Sequence, residues 1–178
     1  TGQEISFPNY SILKTANNFY LLDYDTLRPF ASAEVVRQIG YNPDEFIEIN
    51  DADIVGYQIG STITASTTAP QGVIYQITDL NNSYYLFKDN VLYPITDKSI
   101  VTTNYKDLVV EKHKVKDIKN LQVADLPINF KDGTLLRVTD SSNVYVIENG
   151  KKRLIADVDT FAALGYKRTN VIAVSSIT

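Results

Sequence analysis

The 178-residue sequence predicts an α+β, β-rich fold: about two and a half tandem repeats of an antiparallel β-hairpin plus one short helix, sharing a continuous core. Two observations carry that prediction. The first is internal repetition. NFYLLDYDTLRPFASAEVVRQIGYNPDEFIEI (18–49), SYYLFKDNVLYPITDKSIVTTNYKDLVV (83–110) and NVYVIENGKKRLIADVDTFAALGYKRTNVIAV (143–174) align on Tyr20, Tyr85 and Tyr145, a period of about 60–65 residues. The second is that punctuation recurs with the repeats, since a polar turn, a helix-capping residue and a helix stop stand at matching places. The units so defined are 1–72 with an N-terminal segment, 73–133, and a partial third unit, 134–178.

Each unit is justified element by element. Phe19–Leu22, Tyr84–Phe87 and Val144–Ile147 are apolar at every position, so both faces of these strands are expected to be covered. Polar turns follow at Asp23–Asp25, Lys88–Asn90 and Glu148–Gly150. Asn149-Gly150 suits a type I′ turn, which needs positive φ at both central residues. Return strands then run to Pro29-Phe30, Pro94-Ile95 and Leu154-Ile155; the prolines place them near an edge or at a strand end. Ser32, Asp97 and Asp157 are N-cap residues whose oxygens accept from the free amides of a starting helix. Gly40-Tyr41, Asn104-Tyr105 and Gly165-Tyr166 read as helix stops, with Gly or Asn in the left-handed C′ conformation. Further strands are expected at Phe46–Ile49, Leu108–Val110 and Val171–Val174. Ile54–Tyr57, Ile118–Leu121, Thr62–Thr64 and Pro127–Asn129 lie between units, ahead of opening strands at Val73–Ile77 and Leu135–Val138. A unit of this kind hides its apolar face poorly alone, which is the reason to expect a shared core.

Composition narrows the function. Against 17 Lys+Arg stand 21 Asp+Glu, a formal net charge of −4, which argues against nucleic-acid binding. No cysteine is present, so disulfide frameworks, thiolate metal sites and cysteine nucleophiles are excluded. One histidine, His113, excludes polyhistidine metal sites, and its charged surroundings point to a solvated face. No apolar run reaches the roughly 18–20 residues that span a bilayer, so no membrane insertion is expected. Neither a phosphate loop nor a nucleophile elbow occurs, and carboxylate pairs such as Asp51/Asp53 and Asp157/Asp159 are not gathered by any motif. No enzyme activity, cofactor or metal is expected. Acidic and amide clusters at 50–53, 78–82 and 139–143 invite a calcium reading, but they lack an ordered ligand series ending in Glu and do what turns require.

Candidate ligand contacts are few. Tyr20, Tyr85 and Tyr145 read as core, and Tyr41, Tyr105 and Tyr166 as helix-end packing. Tyr24, Tyr57 and Tyr93 are the aromatics left for a sugar face. Arg28 and Arg153 recur at one position of the return strand, with Lys152 adjacent. They serve either as edge-strand protection or as forks for an anionic wall polymer.

The third unit, with its Asn-Gly turn, Lys-Arg-x-Ile return strand and Phe-x-x-Leu-Gly-Tyr helix end, resembles a tandem repeat of bacterial secreted and cell-envelope proteins. The likeness is closest over 143–174, less close over 18–49 and least over 83–110, where Tyr93 stands in the column of Arg28 and Arg153. It implies a wall-associated or surface module without catalytic residues. Choline- and glucan-binding repeats also use aromatic hairpins, but they lean on Trp, which this chain lacks, so their binding residues are not carried over. Absence of Met, Cys and Trp and a start at Thr1 fit a mature or excised piece of a secreted or cell-surface protein. The expected function is a non-catalytic extracellular module for binding or spacing. Its partner would be a cell-wall glycan or polymer, or copies of itself as a self-assembling subunit of a surface layer or filament.

Overall fold

The apolar runs that open each hairpin are strands, and each is the inner strand of its own sheet. The computed structural model describes residues 7–42 and 44–175; Thr1 lies outside them. Among the described residues the fold is α+β and β-rich, with three mixed sheets and four short helices. It forms two compact units, one of residues 1–72 with the turn 88–90, the other of 73–87 and 91–178.

In the first unit β1 (Ile12–Lys14), β2 (Phe19–Asp23) and β3 (Thr26–Pro29) form an antiparallel meander. Helix α1 (Ala33–Gln38) then carries the chain back so that β4 (Ile47–Glu48) enters parallel to β1. A 3₁₀ turn over Asp51–Ile54 leads to β5 (Gln58–Ile59), parallel to β3, giving the order β4-β1-β2-β3-β5. Both sheet faces are covered, as the apolar run of β2 requires. Leu21 packs with Ile12, Phe30, Val35, Val36 and Ile63, while Tyr20 and Leu22 pack with Leu13 and Leu27.

In the second unit β6 (Val73–Ile77), β7 (Ser83–Lys88), β8 (Val91–Ile95), β9 (Val110–His113) and β10 (Gln122–Val123) make a sheet of order β10-β8-β7-β6-β9. Helix α2 (Lys98–Asn104) precedes β9, and α3 (Val115–Ile118) precedes β10. A third sheet holds β11 (Leu135–Val138), β12 (Val144–Glu148), β13 (Lys151–Leu154) and, after α4 (Val158–Ala163), β14 (Val171–Val174). Its order is β13-β12-β11-β14. In every sheet the strand after the main helix pairs parallel to the first strand of the meander.

The three N-caps form as expected. Ser32 Oγ accepts from Val35 N at 3.3 Å, Asp97 Oδ1 from Ser99 N at 2.8 Å and Asp157 Oδ1 from Thr160 N at 2.7 Å. The amide of Thr160 holds the Asp157 carboxyl below its ordinary range. The Asn149-Gly150 turn has φ of 53° and 69°, and Asp89-Asn90 matches it at 51° and 67°.

Three expectations need correction. Gly40 and Gly165 take positive φ (90° and 73°), but Asn104 does not. α2 runs through Asn104 and ends on Tyr105 at φ −128°. Counted from the N-cap, Tyr105 occupies the place of Gly40 and Gly165, so Asn104 has no left-handed position to fill. The hairpins are antiparallel as the sequence predicts, and the flanking strands join them parallel because a helix connection reverses the chain once more than a hairpin does. Units carry more than one helical turn, since α3 and the 3₁₀ turn precede the last strands. Finally, Ile63 and Ile128 make only single bridges, to Phe30 and Ile95, and the short strands lie upstream at β5 and β10.

Candidate functional site

The six residues nominated as ligand contacts are divided between the two compact units. Tyr24, Arg28 and Tyr57 belong to the first compact unit; Tyr93, Lys152 and Arg153 belong to the second. Tyr24 opens the β2–β3 turn with φ 60° and meets Tyr10 edge to face, ring centroids 6.1 Å apart. Tyr57 packs half-buried against the Leu13–Leu27 cluster, and Tyr93 is half-buried in β8.

Arg28 and Arg153 share a column and have opposite fates. Arg28 is 4% exposed. Its Nε donates to Ser61 O (3.3 Å), its Nη1 to Pro70 O (2.9 Å) and its Nη2 to Asp89 Oδ1 (3.0 Å). A guanidinium with three internal acceptors is a structural clamp, which corrects both the edge-strand and the anion-fork readings of Arg28. The same turn carries Lys88, paired to Asp23. Arg153 stays exposed on β13 and donates to Glu148 Oε2 at 2.8 Å, which raises its pKa. Lys152 is exposed beside it.

Tyr41 sits near the Arg28 clamp and donates to Gln71 Oε1 at 3.2 Å. Burial pushes its phenol up to about 12, with Arg28 opposing and Asp23 adding. A phenol unfolded in water ionises near 10. Its stabilising contribution is therefore whole below about pH 10 and is lost as pH rises toward 12. Across that window the wild type should lose stability faster than a Tyr41→Phe variant in paired denaturant titrations. Equal slopes would refute it.

Two of the acidic clusters hold a carboxylate bonded to a backbone amide, Asp53 within its own turn and Asp79 across 36 residues to the start of α3. Asp53 Oδ2 accepts from Asn50 N (2.8 Å), and Asp79 Oδ1 from Val115 N (2.9 Å). Asp132, outside those clusters, receives the Asn149 and Gly150 amides at 2.8 and 2.9 Å. No group of three metal-ligating side chains occurs among the described residues. His113 closes β9, with Nε2 at 3.1 Å from Glu111 Oε2 and its ring 4.0 Å from that of Tyr75. Burial, then Glu111, raises the Tyr75 phenol.

The feature best suited to take up another molecule was not singled out from the sequence. A cleft of about 640 Å³ opens where the chain passes from β13 into α4, with residues of β11, β12 and β14 also lining it. Val144, Ile155, Val158 and Phe161 make its apolar wall, while Arg137 and Arg168 bring positive charge. Asp157, also at its rim, is engaged as the α4 cap. Such a volume is in the range of ligand sites, and apolar walls with a few charged groups suit an amphipathic guest. None of the six nominated residues lines it. The sequence did contain a signal: Gln58-Ile59-Gly60 and Gln122-Val123-Ala124 are related segments, each followed by an isoleucine, and the third sheet has no equivalent strand among the described residues. No helix among the described residues is long and apolar enough to cross a membrane. Compared with protein-family models, with curated proteins and with solved structures, the chain has no match.

Proposed function

We propose that the chain is a non-catalytic extracellular repeat module of a bacterial surface or wall-associated protein, serving binding or spacing. In this reading it comprises about two and a half tandem repeats. The observation that carries the reading is the recurrence of one arrangement. A three-strand meander, a side-chain-capped helix and a parallel strand beside the first strand appear in each of three sheets. Repetition of a small unit with short loops builds extended surface and length, which suits a spacer or a multi-contact binder better than a single catalytic cleft. A composition rich in Tyr, Thr, Ser and Asn and free of oxidisable sulfur is the ground for placing it outside the cell.

Co-sedimentation of the purified chain with isolated bacterial cell wall tests the binding role. Retention in the pellet, competed by soluble wall polysaccharide, is expected. Failure on every envelope fraction would overturn binding and leave only spacing. A second reading, a self-assembling subunit of a surface layer or filament, draws on the unpaired side of β13 at the edge of the third sheet. It predicts polymers at high concentration by electron microscopy, and a persistent monomer would end it. Lys151, Lys152 and Arg153 on that strand oppose its pairing with the same strand of a copy, which favours the module.

A further inference from the structure

An opening between the first turn of a sheet and the cap of its helix recurs in the second and third sheets. The registers Tyr75↔Tyr85 and Leu136↔Tyr145, with the caps Asp97 and Asp157, align Gln76 with Arg137, Tyr84 with Val144, Thr96 with Ala156 and Lys98 with Val158. The first member of each pair lines a groove of about 800 Å³ in the second sheet, and the second member lines the 640 Å³ cleft of the third. The second-sheet groove is open with its own last strand in place. There β10 pairs with β8, and Ile128 N donates to Pro94 O (2.7 Å) while its O accepts from Thr96 N (3.2 Å). In the first sheet the same ground is filled. Phe46 meets Phe19, the counterpart of Tyr84, edge to face at 5.8 Å, and Lys14 Nζ stands 4.4 Å from the Phe46 ring centre. Leu13 faces Ile47 as Tyr75 faces Glu111, so the second sheet has Val110 at the place of Phe46, a smaller side chain that is 47% exposed.

The fold makes the opening, and the sequence chooses its lining. Where the third sheet has valine or alanine, the second has a phenol, an ammonium and a hydroxyl. Gln76 Nε2 donates to Asn82 Oδ1 at 3.3 Å. That single bond leaves an acceptor on Gln76 and a donor on Asn82 without a partner among the described residues, and the Tyr84 hydroxyl and Lys98 ammonium are likewise unengaged there. Asp97 is committed, its Oδ1 accepting from Ser99 N (2.8 Å) and Ser99 Oγ (2.5 Å). Asp97 and Lys98 bring one charge of each sign, so the lining carries no net charge that would select an ion. Its apolar members Ile95 and Val174 are buried, which leaves little apolar surface for a lipid or an aliphatic guest.

We propose that the second-sheet groove is a binding site for a neutral oligosaccharide. One sugar ring lays its C–H face on Tyr84, an aromatic with an apolar body and a polar tip. Sugar hydroxyls are donors and acceptors at once, and the amides of Gln76 and Asn82 offer one of each. On the opposite wall Ala173 and Ser175 are small, which leaves room for the ring. The groove takes over the role for which Tyr24, Tyr57 and Tyr93 were nominated, since none of those three lines it. The source of the glycan, a bacterial wall, rests on the reading given under the proposed function; the chemistry of the groove does not. If wall pelleting fails while a soluble neutral glycan binds the groove, the wall reading falls and the site stands. If the chain pellets with wall while no neutral glycan binds the groove, the site falls and the wall reading stands.

The test is a titration of the isotope-labelled full chain with cellotriose, maltotriose, mannotriose and the trimer of β-1,4-linked N-acetylglucosamine, followed by amide shifts in NMR. Saturable shifts over residues 81–84 and 96–102 are expected with at least one of them, at an affinity that added salt leaves unchanged. Tyr84→Ala should weaken that binding about tenfold or more. Should that variant unfold, Thr102→Trp covers the groove from an exposed position on α2 and should give the same loss. Absence of saturable shifts with all four sugars at tens of millimolar would overturn the proposal, as would shifts confined to other parts of the chain. Binding that weakens steeply with salt, or that survives Thr102→Trp unchanged, would overturn it as well.

Discussion

Replacing Arg28 by Met is expected to destabilise the first compact unit by about 2–4 kcal/mol, although nothing apolar is removed from its core. The guanidinium is 4% exposed and satisfies two carbonyls, of Ser61 and Pro70, together with the Asp89 carboxylate. Met fills the volume of the aliphatic stem but supplies no donor. The Pro70 carbonyl, whose bond to Arg28 is buried, then loses its partner, and Asp89 keeps its charge without a counter-ion. The Asp89 side chain is 34% exposed, so water recovers part of the loss and the effect falls short of that for a fully buried pair. Lys at position 28 should recover only a minority, because an ammonium is a point charge and cannot span acceptors on three sides. Denaturant unfolding followed by circular dichroism, with hydrogen exchange of β2 and β3 amides to locate the loss, reads both variants. A loss below about 1 kcal/mol, or full recovery by Lys, would mean that the clamp does not form in solution.

Leu136→Ala should cost about 3–5 kcal/mol in the second unit. Leu136 is fully buried at the middle of β11, opposite Tyr145 on one side and Ile172 on the other, and packs with Ile147 and Val174. A strand held on both sides cannot collapse into the space left by the lost methyls, so the cavity persists and the penalty lies toward the upper end. Leu154→Ala provides the contrast. It is the same change on β13, where the side chain is 51% exposed, and should stay within about 0.5 kcal/mol. Similar losses for the two would contradict the placement of β13 at the open edge.

These two predictions differ in how far the sequence foretold them. Leu136 lies in an opening strand recognised from its apolar run, where Leu135 and Leu136 are both buried, each in the cluster on its own face. Arg28 was paired with Arg153 because both follow a hairpin turn by the same spacing, and local pattern holds nothing to separate them. Burial of Arg28 depends on Ser61, Pro70 and Asp89, which are 33, 42 and 61 residues away. Arg153 pairs with Glu148, five residues distant across its own hairpin. Likewise, the related segments Gln58–Gly60 and Gln122–Ala124 point to the cleft only once the strand registers are known. Val144, Ile155 and Phe161 were readable as apolar positions, but that their cluster lacks the residue supplied elsewhere by Ile63 appears only once registers are known.

What sequence alone determined here is the set of features whose energies are settled within a few residues. These are the apolar central strands, the caps at Ser32, Asp97 and Asp157, and the positive-φ turn at Asn149-Gly150. Tertiary structure alone decided the parallel partners of each meander, the burial of one arginine and exposure of its counterpart, and the open side of β13. Those outcomes depend on which distant segment arrives to complete a hydrogen-bond ladder or shut out water. The near end of the chain carries no record of that arrival, because pairing energy is realised only after the loop between the partners has closed.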